Sequence, residues 1–401
     1  MRGLSVADEM VPLMNRVIVS LIAALMLMVP AASFGQCVPA ATWVAPADAQ
    51  KAPIAPSEIV ARASARRVVL LGEQHDIADH HRWQLQMLAA LHAARPAMVV
   101  GFEMFPRRVQ GALDRWVAGE LTEAQFLAQT DWRNVWRLDA SLYMPLFHWA
   151  RMNRVPMIAI NIDRELTREV SEKGFDAIPI ERREGVSRPV EPSADYTKWL
   201  LGVYREHQRS GTQNVAATDP AFRRFVESQL LWDRAMAESL ATAHNRTGSP
   251  LVVGILGSGH IARGYGVPHQ LKAMGISEVM SLLPWSSNAE CGELVAGFAD
   301  AVYGLPAQPN EPREQRARLG VGLERTQGGV LIKQVEASSI AASAGMLAGD
   351  VVVEVAGLKA QESADVADAV RRHAPGTWLP IRILRQGESF DLIAKFPPAV
   401  K

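Results

Sequence analysis

Cysteine is nearly absent from this sequence, with Cys37 and Cys291 the only two among 401 residues. So few exclude a disulfide-built scaffold and any zinc ribbon made of cysteine pairs. An excess of either charge is also lacking, since Lys+Arg and Asp+Glu both total 42. Arginine outnumbers lysine, yet the arginines are interspersed with acids and form no stripe, which argues against a surface built for nucleic acid. No apolar run after the first forty residues is long enough to cross a bilayer. What is present is ordinary core material: 48% hydrophobic and 21% charged residues, in a chain long enough for two or three domains.

The N-terminus carries an address. Arg16 precedes an apolar stretch over 17–29, which ends at Pro30 and small residues. A positive start before a short apolar core is the layout of a secretory signal. Met14 makes a better start than Met1, because Asp8 and Glu9 precede it. Cleavage after Ser33 or Gly35 is expected, so 1–36 reads as an export region and the mature chain as periplasmic or otherwise exported. Cys37 leaves two readings open. Phe34-Gly35-Gln36 is a poor lipobox, so a lipid tether to the outer membrane is one; a disulfide to Cys291, allowed in an oxidising compartment, is the other.

After a Pro/Ala-rich lead, short apolar runs alternate with amphipathic ones. Residues 68–71, 98–102, 157–162, 251–256 and 276–283 read as buried strands, rich in Val, Ile and Leu. Helical patterns cover 79–94, 140–153 and 220–244, the last opened by Asp219-Pro220. The expected fold is α/β, a parallel-rich sheet covered by helices over 56–300. The stretch 163–245 reads as a helical insertion or lid. Residues 301–313 are turn-rich and polar, a linker. Beyond it, over 314–396, short strands surround one clear helix in a small mixed α+β unit. Arg318-Leu319-Gly320-Val321-Gly322-Leu323 and Ser343-Ala344-Gly345-Met346-Leu347-Ala348-Gly349-Asp350 resemble the PDZ domain, bacterial type. The resemblance implies a peptide or protein C-terminus added as a strand beside Leu319, Gly320, Val321, Gly322 and Leu323. A groove filled by the chain's own linker is the alternative.

In parallel sheets ligands collect at the carboxyl ends of strands. Four such ends carry chemistry: Glu73 and His75, Glu103, Asn161 with Asp163 and Arg164, and His260. Alone, each is more commonly a satisfied core or capping residue; together they put two carboxylates, two imidazoles and a guanidinium on one edge. Histidine nitrogens with glutamate oxygens (Glu73, His75, Glu103, His260) suit zinc or manganese. His80 is a possible extension of this edge, whereas His81 reads as helix surface. The other ligand is a porphyrin, which needs an axial His or Tyr, an apolar slot and cations for its propionates. Only five tyrosines exist, and Tyr265 lies nearest His260 in sequence. Arg164 and Arg263 are candidate propionate partners. Tyr204 with His207 reads rather as an ordinary amphipathic helix, and Trp132, Trp136, Trp149 and Trp199 as core before cofactor wall. No Cys-x-x-Cys-His occurs, which excludes covalent haem attachment.

Gly72-Glu73-Gln74-His75-Asp76 with His80-His81, then Gly101-Phe102-Glu103-Met104-Phe105, Asn161 to Arg164, the block from Gln229 to Ala237, and Gly257-Ser258-Gly259-His260 stand in one order. This order resembles the ChaN-like haem-binding uptake family of the Tiki/TraB superfamily, over about 68–283. The resemblance implies an exported, iron-linked protein that binds haem noncovalently and forms a homodimer around it. It also implies an alternative. Superfamily relatives use the Gly-x-x-His block and a downstream His or Glu for metal-dependent hydrolysis. In that scheme His75, His260 and one glutamate hold the metal, and Glu73 or Glu103 is the catalytic base. A catalytically silent scaffold is the third reading. The poor lipobox and the appended second domain depart from the family pattern.

Overall fold

The computed structural model describes residues 37–46, 53–207, 215–246, 248–307 and 318–398. The export region lies outside them. Two compact units result, Met1–Ala307 and Gln308–Lys401.

In the first unit the strands are β1 (Trp43–Val44), β2 (Val68–Glu73), β3 (Met98–Pro106), β4 (Met157–Asn161), β5 (Leu251–Gly257), β6 (Val279–Ser286) and β7 (Ala301–Leu305). The helices are α1 (Pro56–Ser64), α2 (Ala78–Ala94), α3 (Gln110–Ala118), α4 (Glu123–Gln129), α5 (Trp132–Val135), α6 (Met144–Met152), α7 (Arg164–Lys173), α8 (Ala194–His207), α9 (Pro220–His244) and α10 (Gly266–Ala273). The sheet order is β1-β7-β6-β2-β5-β3-β4. All its pairings are parallel except that of β1 with β7. Alternate side chains feed opposite layers. Val69, Leu71, Val100 and Phe102 join α1, α2, α3 and α6 on one face. Val68, Leu70, Val99 and Ile160 join α9 and α10 on the other. Burial on both sides explains why these strands are continuous apolar runs.

Three expectations need correction. Residues 301–305, read as the start of a linker, form an interior strand paired with β6. The stretch 163–245 is not a lid throughout, because α9 buries Met236, Ala237, Leu240 and Ala241 against the sheet as the return from β4 to β5. The helix over 140–153 begins only at Met144, after a single turn at Ala140–Leu142. Pro145 lies in its first turn, where no amide donor is needed.

The outer strand β4 is guarded. Gln110 lays its amide along the edge, donating to the Met157 carbonyl at 2.9 Å and accepting from the Ala159 N–H at 2.8 Å. A disulfide joins Cys37 to Cys291, which chooses between the two readings of Cys37. Among the described residues no helix is long and apolar enough to cross a membrane.

The second unit holds β8 (Val321–Thr326), β9 (Gly329–Val335), β10 (Val351–Val355), β11 (Leu358–Lys359), β12 (Trp378–Arg385) and β13 (Glu388–Lys395), with α11 (Ile340–Ser343) and α12 (Ser363–Arg372). The order is β13-β12-β10-β9-β8, with β11 on β10, so β8 is an edge strand. Asp350 of the Gly-Asp signature is buried; it accepts from the Leu347 amide and takes Arg385 at 2.7 Å on each oxygen. That clamp fixes the turn into β10.

Candidate functional site

The central strands β2, β5 and β3 are neighbours, so their carboxyl ends meet. Glu73 closes β2 fully buried. Its Oε1 accepts from His75 Nδ1 at 2.8 Å and from the Tyr143 hydroxyl at 2.5 Å, and its Oε2 lies 3.3 Å from His81 Nε2. Glu103 on β3 is also fully buried; its Oε2 accepts from the Gly257 amide at 2.7 Å. Its Oε1 has no hydrogen-bond partner and faces His260 Nε2 at 3.7 Å. His260, in the turn after β5, donates from Nδ1 to Asp233 Oδ1 at 2.7 Å. Asp233 is buried on α9 and takes the Tyr196 hydroxyl on its other oxygen at 2.8 Å. The edge is thus two carboxylate-anchored imidazoles with a buried glutamate between them.

The electrostatics follow from those contacts. Burial alone would push the Glu73 carboxyl up, but the hydrogen bond from His75 and the nearby His81 imidazole overcome it and hold the group at about 2. Burial opposes protonation of His75, yet the Glu73 hydrogen bond and the charges of Glu103 and Glu73 lift it to about 9. His260 is raised in spite of its burial, by Asp233 and the charge of Glu103. Burial raises the Tyr143 phenol, and the Glu73 charge adds to that, so it stays a donor. His80 goes the other way: burial drops it to about 4, and its neutral Nδ1 accepts from the Gln74 amide at 2.8 Å.

These directions set the pH dependence of stability. The His75 contribution is complete below the ordinary 6.5 and is lost as pH rises through about 9. The His80 contribution is present above 6.5 and is lost as pH falls through about 4. That of Glu73 is present above 4.5 and lost as pH falls through about 2. Urea midpoints of the unliganded protein are therefore expected to peak near pH 6.5. Glu73→Gln should level the alkaline limb and His80→Leu the upper acid limb. A maximum above pH 9 would contradict the assignment.

Glu73, His75, Glu103 and His260 are thus brought together. The others are placed differently. Asn161 props the Glu103 carbonyl at 2.7 Å, while Asp163 pairs with Arg108 and Arg164 stands exposed at the start of α7. Arg263 lies over the Phe298 ring at 5.6 Å, where it fastens a loop. Tyr265 stacks on Tyr196 at 5.1 Å, and Tyr204 packs at a tilt against Phe225 at 5.1 Å; the His207 side chain lies outside the described residues. Trp132 and Trp149 are core, whereas Trp136 meets His75 edge-on at 4.8 Å. His81 corrects the expectation of helix surface: it is buried with its ring 4.2 Å from Tyr143, because the first turn of α2 faces the strand ends. Tyr143 and Asp233 escaped the sequence reading. The signal for Asp233 was a lone acid inside an apolar helix face, beside Trp232.

Among the described residues no group of three or more His, Cys, Asp or Glu side chains is disposed to hold a metal ion. In the structure His75 is hydrogen-bonded to Glu73, and His260 to Asp233 rather than to Glu103.

A three-layer unit with acid–imidazole pairs at the carboxyl edge of a parallel sheet, followed by a PDZ-type unit, is the class of protein that fold and site define. The family model described as haem-binding uptake, Tiki superfamily, ChaN matches residues 59–271, and the PDZ domain model matches 317–395. The chain belongs to the ChaN haem-binding uptake family of the Tiki superfamily and carries a PDZ domain. Among solved structures it is similar to ChaN of Campylobacter jejuni, described as showing cofacial heme binding. That likeness has 18% identity and a TM-score of 0.52, and covers 65% of this chain and 95% of that one. The HtrA3 PDZ domain bound to a phage-derived ligand is similar at 20% identity over 21% of this chain and 86% of that one, with a TM-score of 0.19. A comparison with curated proteins finds no match.

Proposed function

We propose that the first unit is an exported, noncovalent haem-binding protein of haem or iron handling, and that the PDZ unit holds a peptide or protein C-terminus. One observation carries the haem reading. The His75 ring is 36% exposed at the strand ends, with Nδ1 fixed on buried Glu73. An imidazole oriented by a carboxylate, with its second nitrogen open once that proton is released, is a donor that would hold the iron of haem. Haem, when bound, would supply the iron; the chain would supply the donor, the walls and the cations. Trp136 and Tyr265 would flank the macrocycle. Arg164, exposed and without an ion-pair partner among the described residues, is the better propionate group, and Arg263 the poorer because Phe298 holds it. Family membership supports the same reading. The Cys37–Cys291 disulfide supports an oxidising compartment and leaves Cys37 no thiol to carry a lipid.

The test is a haem titration of the mature chain followed by absorbance. A saturating Soret shift at simple stoichiometry is expected. His75→Ala should weaken binding by about tenfold or more, roughly 1.4 kcal/mol, while His260→Ala, with a mostly buried ring, changes it by less. A featureless titration would overturn the reading.

A further inference from the structure

The edge of the second unit carries charge that binding of a peptide carboxylate does not use. A groove of about 460 Å³ runs between β8 and α12, lined by Leu319, Val321, Leu323, Val366 and Val370, with Arg318 and Glu336 also along it. Leu319, Val366 and Val370 are buried, so this wall is aliphatic. The entry turn is tightly made. Gly320 has φ +78°, and a Cβ there would sit 2.3 Å from Ser339 Cβ, so no other residue fits without displacement. The carbonyls of Leu319 and Gly320 are taken up by the Ala341 and Glu336 amides, each at 2.9 Å.

Register then decides what lies on the opposite face. Val321 pairs with Val335 and Gly322 with Gln334, so Gly322 and Gln334 share the side away from the aliphatic wall. Glu336 follows β9, is bonded through its amide to Gly320, and holds its carboxylate beside that glycine, 3.5 Å from where a Cβ would stand. Gly320 and Gly322 offer no side chain, which leaves Gln334 and Glu336 as the side chains beside them. Glu336 is exposed and has no ion-pair partner among the described residues. A strand added to β8 would alternate its side chains in the same way. Its last residue would enter the aliphatic wall, and the one before it would point toward Glu336.

We propose that this groove selects a C-terminal peptide whose last residue is aliphatic and whose penultimate residue is basic, with Glu336 reading the base and Arg318 favouring the terminal carboxylate. The inference rests on the reading of this unit as a C-terminal peptide receptor. Fluorescence polarisation on the full chain would compare labelled hexapeptides ending in Arg-Val, Ala-Val and Glu-Val, and an Arg-Val peptide with an amidated end. Affinity should fall in the order Arg, Ala, Glu, by about threefold to fivefold per step, the range of an exposed ion pair. Glu336→Gln should bring the Arg-to-Ala ratio to near one, and Glu336→Arg should invert it. A flat series, or an arginine preference that survives Glu336→Gln, overturns the assignment. If the amidated peptide binds as well as the free acid, or none of the four binds, the receptor reading itself falls and takes this one with it.

Discussion

Glu73→Leu is expected to lower folding stability by about 3–5 kcal/mol, the range for removing one partner of a buried charged pair. Leucine nearly matches the volume, so the loss is electrostatic rather than a cavity. It takes the acceptor from His75 Nδ1, leaves the Tyr143 hydroxyl only the His75 carbonyl at 3.2 Å, and removes the charge beside His81. The Tyr143 hydroxyl sits where water has little access, and a buried donor that loses its acceptor carries a desolvation penalty. Tyr143→Phe removes one donor and leaves the carboxylate its imidazoles, so about 1 kcal/mol is expected there. Urea unfolding at pH 6.5 measures both. A Glu73→Leu loss below that of Tyr143→Phe would show that the carboxylate does not organise this edge. Should the leucine variant fail to fold, Glu73→Gln, which keeps an acceptor oxygen, should fall between the two.

Reduction is expected to be nearly as damaging. The Cys37–Cys291 disulfide spans 254 residues of sequence and ties the lead segment to the loop after β6. That segment contributes β1, which pairs with β7, and Trp43, which packs on Trp83 at 5.9 Å and Tyr303 at 5.0 Å. Loss of a native disulfide commonly costs about 2–5 kcal/mol, chiefly by freeing the unfolded chain. Unfolding midpoints should fall when the wild type is reduced. The Cys37→Ser, Cys291→Ser double variant should start lower and ignore reductant. Equal midpoints for oxidised and reduced wild type would mean that packing alone holds the lead segment.

Much of the α/β unit was legible because its central strands are continuous apolar runs bounded by Gly or Pro. The parts that were not legible depend on distant pairing. Ala301–Leu305 contains Gly304 and precedes Pro306, the composition of a connector, and only its parallel partner β6 makes it a strand. Trp43–Val44 is too short to carry a pattern, and exists as a strand through β7. The strand expected over 276–283 begins at Val279, after a turn in which the Arg67 amide takes the Glu278 carbonyl. At the site, strand-terminal position picked out Glu73, Glu103 and His260, because the edge of a parallel sheet is where such residues converge. The groups that anchor them sit on helices far away in sequence: Tyr143 just before α6 and Asp233 within α9. Nothing local marks Tyr143, and the one local mark of Asp233 is a lone acid on an apolar helix face; the packing of those helices on the sheet brings both to the site. Arg263 shows the reverse. Its sequence position beside Tyr265 suggested a ligand contact, and a left-handed backbone at φ 62° accompanies its placement over Phe298.

The amide of Gln110 along β4 has a consequence for how copies of this protein can meet. A bare outer strand is a template on which a second sheet extends. Here two of its hydrogen-bonding groups are already occupied by a side chain of the same molecule. Any association of two copies is thereby steered away from fusing their sheets at this rim. Gln110 caps two of the backbone groups at the rim where a parallel sheet is otherwise open-ended.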